Sequence, residues 1–259
     1  MNTTEYGKLK SKIRGIIDGM ILSGVNDNWS KVFTLFNFAL SVHNGKRKGG
    51  DHEFSHQLNM AAYAFSMFSR SNVLSNDDLA VLVALIVMHD VPEDYYDEFE
   101  LFVKNELGGR VYNTSNPGSV LGYQVAVTDD FYSEVLNLAV SMSRVDFYSG
   151  NKLSNKDYYN KLSINPFTAF AKAIDRIHNL STMIGVMKPT RIKEYLNESV
   201  DFVLPMIKYS SRRYPLFAQH YEQLKSNMNL LIDPIQRLYG VNSLEPVPVN
   251  DAVVDLATE

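Results

Sequence analysis

Apolar residues recur at three- and four-residue spacing along almost the whole chain, the period of helices packed on a core. Leu9, Ile13, Ile16, Ile17 and Met20 mark a first helix from about Tyr6 to Ser23. A second is predicted from about Trp29 to His43, closed by Asn44-Gly45 as a C-cap. Lys46 to Asp51 is basic and glycine-rich and is predicted to be a loop; helical spacing resumes from about Ser55 to Ser69. Ser75-Asn76-Asp77-Asp78 reads as a helix start, with acidic groups at the positive end of the helix dipole. The helix that follows, about Asp78 to Asp90, is apolar on every side, which predicts a helix in the centre of the domain. Pro92 forbids its continuation and biases Val91 toward extended backbone.

Periodicity is weakest from about Gly108 to Asp130, where Gly108-Gly109 and Asn116-Pro117-Gly118 predict a long loop or an insertion. Helical patterns return at about Phe131 to Met142, Asn155 to Leu162, Phe167 to Met187, Thr190 to Met206 and Leu216 to Leu238. There is no internal repeat and no alternating segment long enough to suggest a sheet, so the fold class is all-α. The expected division is a main domain over 1–210, interrupted irregularly at about 98–130, and a helical extension with a tail over 211–259. The proline-containing, acidic tail from Val241 is expected to be poorly ordered.

Composition narrows the function classes. An apolar fraction of 45% with 21% charged residues is ordinary for a globular protein. The formal charge of −4 argues against a general affinity for nucleic acid. The absence of cysteine excludes disulfides, thiolate metal sites and cysteine nucleophiles. The longest apolar run, Leu79 to Met88, is about half the length that crosses a bilayer. The first residues lack a basic-then-apolar leader. The expectation is a cytoplasmic protein with no membrane partner.

Three clusters carry candidate chemistry. His89-Asp90-Val91-Pro92-Glu93-Asp94 ends the all-apolar helix with two metal-competent side chains, followed one turn later by two carboxylates. Buried charge is costly unless paired, and a divalent cation is a natural partner for an imidazole beside a carboxylate. An isolated His-Asp pair can equally cap a helix, but here it follows a buried helix and precedes a Glu-Asp pair. In the second cluster, Asp175, Asn179 and Thr182 share one helical face among the apolar Ala171, Ile174, Ile177 and Leu180. Such a stripe either binds something or forms an interhelical hydrogen-bond network. In the third, Arg47 and Lys48 sit on a glycine-bearing loop suited to an anion, and His56 opens the next helix. Each also has a plain reading, as a solvated basic pair and an ordinary helix-terminal histidine.

Taken together, the clusters resemble the HD phosphohydrolase superfamily and, more narrowly, the alarmone hydrolase domain of RelA/SpoT-type proteins, including the small stand-alone hydrolases. The likeness runs over roughly Asn37 to Lys208. It rests on Arg47, Lys48, Gly50 and His56 at the family spacing, on His89, Asp90, Glu93 and Asp94, and on Asp175, Arg176, His178, Asn179 and Thr182. It implies an HD-type helical bundle with a mononuclear metal site in its core. His56, His89, Asp90 and Asp175 would hold one divalent ion, usually manganese. Glu93 and Asp94 would orient or activate the attacking water. Arg47, Lys48, Asn179 and Thr182 would hold the nucleotide, with Lys172 and Arg176 as candidate phosphate contacts. The implied reaction removes pyrophosphate from the 3′ position of guanosine tetra- or pentaphosphate.

The chain departs from the family pattern at several positions. Gln57 stands where proline usually follows the metal histidine, Glu53 replaces a tyrosine, and His43 is one residue out of register. Ser143-Arg144 stands for a threonine-lysine pair, and the stretch from about Glu98 to Asp130 is longer than usual. Nothing after about Pro205 has strand patterning or a phosphate-binding loop, so hydrolysis without synthesis is expected. Two other readings stay open: an HD-type nucleotidase or deoxynucleotide phosphohydrolase, and, from another class, a catalytically weak nucleotide-binding or antitoxin-like protein.

Overall fold

The computed structural model describes residues 3–68, 73–113, 123–146 and 151–240. The chain is mostly helical. In order the helices are α1 (Thr3–Leu22), α2 (Asn28–Val42), α3 (Ser55–Phe68), α4 (Asn76–Met88), α5 (Val91–Asp94), α6 (Tyr96–Asn105), α7 (Asp130–Met142), α8 (Asn155–Leu162), α9 (Pro166–Thr182), α10 (Pro189–Glu198), α11 (Leu204–Arg213) and α12 (Ala218–Tyr239). A π-helical turn, Ser199–Val203, joins α10 to α11. The predicted helical content at Ser69 and the predicted loose tail from Val241 lie outside the described residues.

The expectation of a central helix is met. Every residue of α4 from Leu79 to Met88 is buried, and α2, α3, α7 and α9 pack around it. Its predicted start proves to be a capping box. The Ser75 hydroxyl accepts from the Asp78 amide at 3.0 Å, and the Asp78 carboxylate accepts from the Ser75 amide at 3.2 Å. Ten consecutive apolar side chains are removed from water, and each Val, Leu, Ile or Met among them contributes about 1.5–3 kcal/mol when fully buried. The C-terminal helix joins the same core: Tyr221 stacks on Phe170 at 4.3 Å and donates to the Pro166 carbonyl at 3.1 Å. Among the described residues no helix is long and apolar enough to cross a membrane.

The structure differs from expectation at Pro92. Val91 is not extended but opens α5, with Pro92 in the first helical turn, where its missing N–H costs no hydrogen bond. The Asp90 carbonyl collects the amides of Glu93 and Asp94, at 3.2 and 2.9 Å. The chain therefore turns at His89-Asp90 and re-enters a helix at once, which keeps all four polar residues of the motif within one compact corner. Helix α9 stops at Thr182, short of Met187, and helical structure beyond α10 runs on to Arg213 through the π turn.

The stretch taken as irregular is also more ordered than its spacing suggests. Its first part is α6, which buries Phe99, Phe102 and Val103. Two four-residue strands follow, β1 (Arg110–Asn113) and β2 (Tyr123–Ala126), paired antiparallel with Arg110 opposite Ala126. A minimal second pair joins β3 (Val145–Asp146) to β4 (Asn151–Lys152). The rest of the predicted loop, 114–122, lies outside the described residues. These strands are too short for alternation to register, and β2 is held from outside its own sequence. Asn137 of α7 accepts from the Val125 amide and donates to the Val125 carbonyl, both at 2.9 Å, in place of a neighbouring strand.

Replacing Asn137 with alanine leaves both backbone groups of Val125 without that partner and should cost about 1–3 kcal/mol. Amide exchange at Val125 is expected to accelerate in the variant; unchanged exchange and stability would show that the hairpin holds itself.

Candidate functional site

The corner after α4 supplies the first half of the site. The αR backbone at His89 and Asp90 continues the turn of α4 just far enough to aim both side chains at α3. His89 is buried, and its Nδ1–H donates to the Ile86 carbonyl at 2.8 Å. That bond leaves Nε2 as the free edge of the ring. Nε2 lies 2.9 Å from Asp90 Oδ2 but without hydrogen-bond geometry, and it has no other partner. From α3, His56 comes up beside it, the two rings 5.4 Å apart between centroids. Ligand-capable atoms of His56, His89 and Asp90 all lie within 4.8 Å of one another, the one such group among the described residues.

Helix α9 supplies the other half. Asp175 Oδ1 is 3.0 Å from His56 Nε2, while Oδ2 pairs with the Lys172 ammonium at 2.8 Å. Asn179, one turn on, donates to Asp175 Oδ1 at 2.6 Å, and its own oxygen accepts from Arg47 at 3.0 Å. Asp175 therefore stands beside the tight trio, already engaged by three partners. On the far side of its ring, His56 Nδ1 meets His178 Nδ1 at 2.8 Å. Arg47 is delivered by the basic loop, which closes on itself through a Lys46–His52 bridge and a turn at Gly50, whose φ of +84° suits glycine.

Charge is distributed unevenly over this corner. Burial disfavours a charged His89, but the facing Asp90 carboxylate outweighs it and lifts the imidazole to about 8. Burial likewise raises Asp90, and His89 outweighs that to hold it down to about 2. The pair is thus an ion pair near neutrality. Burial also raises the Asp175 carboxyl, yet Lys172 and His56 bring it well below the usual carboxylate range. Desolvation, then the nearby His56 and Arg47, push His178 down to about 3, so its ring is neutral. At the mouth, desolvation of the carboxyl and the charges of Asp90, Glu93 and Glu53 push Asp94 up to about 6, although the residue as a whole is exposed.

The remaining residues singled out in the sequence are distributed as follows. Glu93 lies at the mouth and accepts from the Arg144 amide at 2.8 Å. Lys48 is exposed on the loop, and Thr182 is exposed with its hydroxyl donating to the His178 carbonyl at 3.0 Å. Arg176 is not brought to the trio. It is 3% exposed and turns away to Glu198 at 3.2 Å and the Tyr159 hydroxyl at 2.8 Å. Glu198 also holds Arg144 at 3.0 Å, so one carboxylate ties α9 to the residue whose amide anchors Glu93.

Several contributors carried no sequence signal of their own. Glu198 ends α10, far from every motif. Glu53 accepts from the Tyr95 hydroxyl at 2.7 Å and from the Gly45 amide at 3.1 Å. A Cβ on Gly45 would come within 2.8 Å of that carboxylate, so the close approach depends on glycine. Gln57 meets His43 at 3.1 Å, and His43 is fixed by the Ala39 carbonyl at 2.8 Å. Gln57 and His43 are thus paired behind the site, while Glu53 is held by Tyr95 and Gly45. His178 was visible as part of a motif, and its position three residues after Asp175 puts it on the same face.

No protein-family model matches the chain, and no curated protein matches it. The donor set itself fits a divalent cation. Two imidazole nitrogens and a carboxylate form a mixed N/O set. One imidazole is pinned through Nδ1, as metal-binding histidines commonly are, while its Nε2 is buried without a hydrogen bond. Asp90, with 39% of its side chain exposed, leaves the trio open on one side.

Removing the Glu198 carboxylate with alanine should destabilise the fold by about 3 kcal/mol or more, because it strands a buried Arg176. Denaturant unfolding measures this; a loss under about 1 kcal/mol would mean that Tyr159 alone suffices for Arg176.

Proposed function

We propose that this chain is a metal-dependent phosphohydrolase of the HD class that acts on a nucleotide. Its favoured reaction is removal of the 3′-pyrophosphate from guanosine 3′,5′-bis(diphosphate) or a related alarmone. The observation that carries the reading is the grouping itself: ligand-capable atoms of His56, His89 and Asp90 lie within 4.8 Å of one another, with the buried His89 Nε2 turned to the Asp90 carboxylate. The motif resemblance adds the substrate class, and manganese is the ion it favours.

His56, His89 and Asp90 would hold the cation, with Asp175 next to them as the fourth ligand. When bound, the ion would polarise the scissile phosphorus centre and acidify a water molecule. Asp94 is the better proton acceptor of the two mouth carboxylates, since an ionisation near 6 matches proton transfer near neutrality. Glu93, tethered to the Arg144 amide, orients the water rather than moving far. Lys172 and Arg176 are neutralised by Asp175 and Glu198. Positive charge for the substrate phosphates therefore comes from Arg47 and Lys48, with Asn179 steadying Arg47.

Pyrophosphate release from a panel of nucleotides, guanosine 3′,5′-bis(diphosphate) included, is expected to require manganese and to stop with chelator. Asp90→Asn should lose metal and turnover together. Asp94→Asn should keep metal and lose about 10²–10⁴ in rate. Orthophosphate or triphosphate as the only product would move the substrate to ordinary nucleotides; binding without turnover would leave a nucleotide-sequestering protein. Because the base acts when deprotonated, the wild-type rate should fall as pH drops through about 6 or somewhat lower, the bound cation favouring the carboxylate. Asp94→Asn should lack that limb.

Metal must displace the proton that Asp90 keeps on His89 up to about pH 8. Affinity should therefore weaken as pH falls below about 8. Calorimetry at pH 7 in buffers of different ionisation enthalpy should show about one proton released per ion. Uptake independent of pH from 6 to 8 would exclude His89 as a ligand.

A further inference from the structure

His178 belongs to the motif on α9 but has no role in the reading above. Its ring sits edge to face against His56, with centroids 4.6 Å apart and planes at 62°, and the two Nδ1 atoms are 2.8 Å apart. Two imidazole nitrogens at that distance form one hydrogen bond, with one nitrogen protonated and the other bare. Which is which follows from the opposite edge of His56. Its Nε2 faces Asp175 and, with Nδ1 engaged by His178, is the edge left for a cation. A cation takes only a bare nitrogen, so on binding metal a neutral His56 gives up the Nε2 proton that faces Asp175 and carries its proton on Nδ1. His178 Nδ1 is then the acceptor, and the His178 proton sits on Nε2.

We propose that His178 is the positioning residue that fixes the tautomer and ring plane of His56 for metal binding. The comparison with His89 supports this. His89 is pinned through Nδ1 by a carbonyl of its own helix, one turn back. His56 lies in the first turn of α3, where the nearest preceding residues belong to the loop, and its Nδ1 is met instead by a side chain from α9. Both imidazoles thus present Nε2 with Nδ1 engaged, one through backbone and one through His178. The same helix carries Asp175 three residues earlier, so a single element sets the plane of one ligand and the position of its neighbour. The inference rests on the trio being a metal site.

The test is metal affinity, measured by calorimetry on the full chain with manganese alone, for wild type, His178→Asn and His178→Leu. Asparagine and leucine have nearly the same shape, and only asparagine can place an acceptor where Nδ1 stands. His178→Leu should weaken binding by about 10–100-fold, the usual cost of losing an outer partner of a ligand. His178→Asn should stay within about threefold of wild type. Equal affinity in all three proteins, or equal loss in both variants, would overturn the role. If His178→Leu does not melt cooperatively, ring ¹⁵N shifts of zinc-loaded wild type decide instead. A protonated Nδ1 on His56 is expected, and a protonated Nε2 would overturn the proposal. Wild type taking up no metal would be a different failure, removing the site itself.

Discussion

Everything at the candidate site depends on the burial of α4 on all of its sides. A helix with ten consecutive apolar residues has no face to offer water, so α2, α3, α7 and α9 must surround it. Its C-terminal end lies where those helices converge, buried at His89 and open to solvent at Asp90. His89 and Asp90 occupy that end. They are held where charge is expensive and where neighbouring helices converge, which is why a pair of polar residues becomes a site.

Helix α9 provides the counterpart. Its polar stripe is not solvated but threaded into a chain of contacts: Lys172 to Asp175, Asp175 to His56 and Asn179, Asn179 to Arg47. Lys172 neutralises Asp175, and the uncharged Asn179 and His56 complete its hydrogen bonds, so the low-dielectric interior tolerates the group. One consequence is a division among the cations. Lys172 and Arg176 are committed to structure by buried carboxylates, while Arg47 and Lys48 remain on the loop. A second is that Glu198, through Arg144 and Arg176, links the outer carboxylate Glu93 to the same helix.

The site's departures from the pattern it resembles form their own small layer. Glu53 is satisfied by Tyr95 and Gly45, and the Gln57 amide nitrogen meets His43. These contacts lie behind the loop that carries Arg47 and beside the mouth that Asp94 lines. Glu53 adds negative charge there and is one of the groups that lifts Asp94 toward neutrality.

The sequence alone determined the helical class, the central place of α4, its start and the polar stripe of α9. Each of these is written in local spacing: a period of 3.6, an apolar run, a Ser three residues ahead of an Asp. It also determined which residues have the chemistry for a site. Tertiary structure decided the rest, because the deciding contacts join residues far apart in the chain. It set Arg176 against Glu198 rather than toward the trio, engaged Asp175 with Lys172, and faced His178 with His56 across 122 positions. It ordered β2 through Asn137 of α7, a partner that no alternation in the strand itself could announce. Spacing along a helix fixes which face a side chain occupies, but only the packing of one helix against another fixes what that face meets.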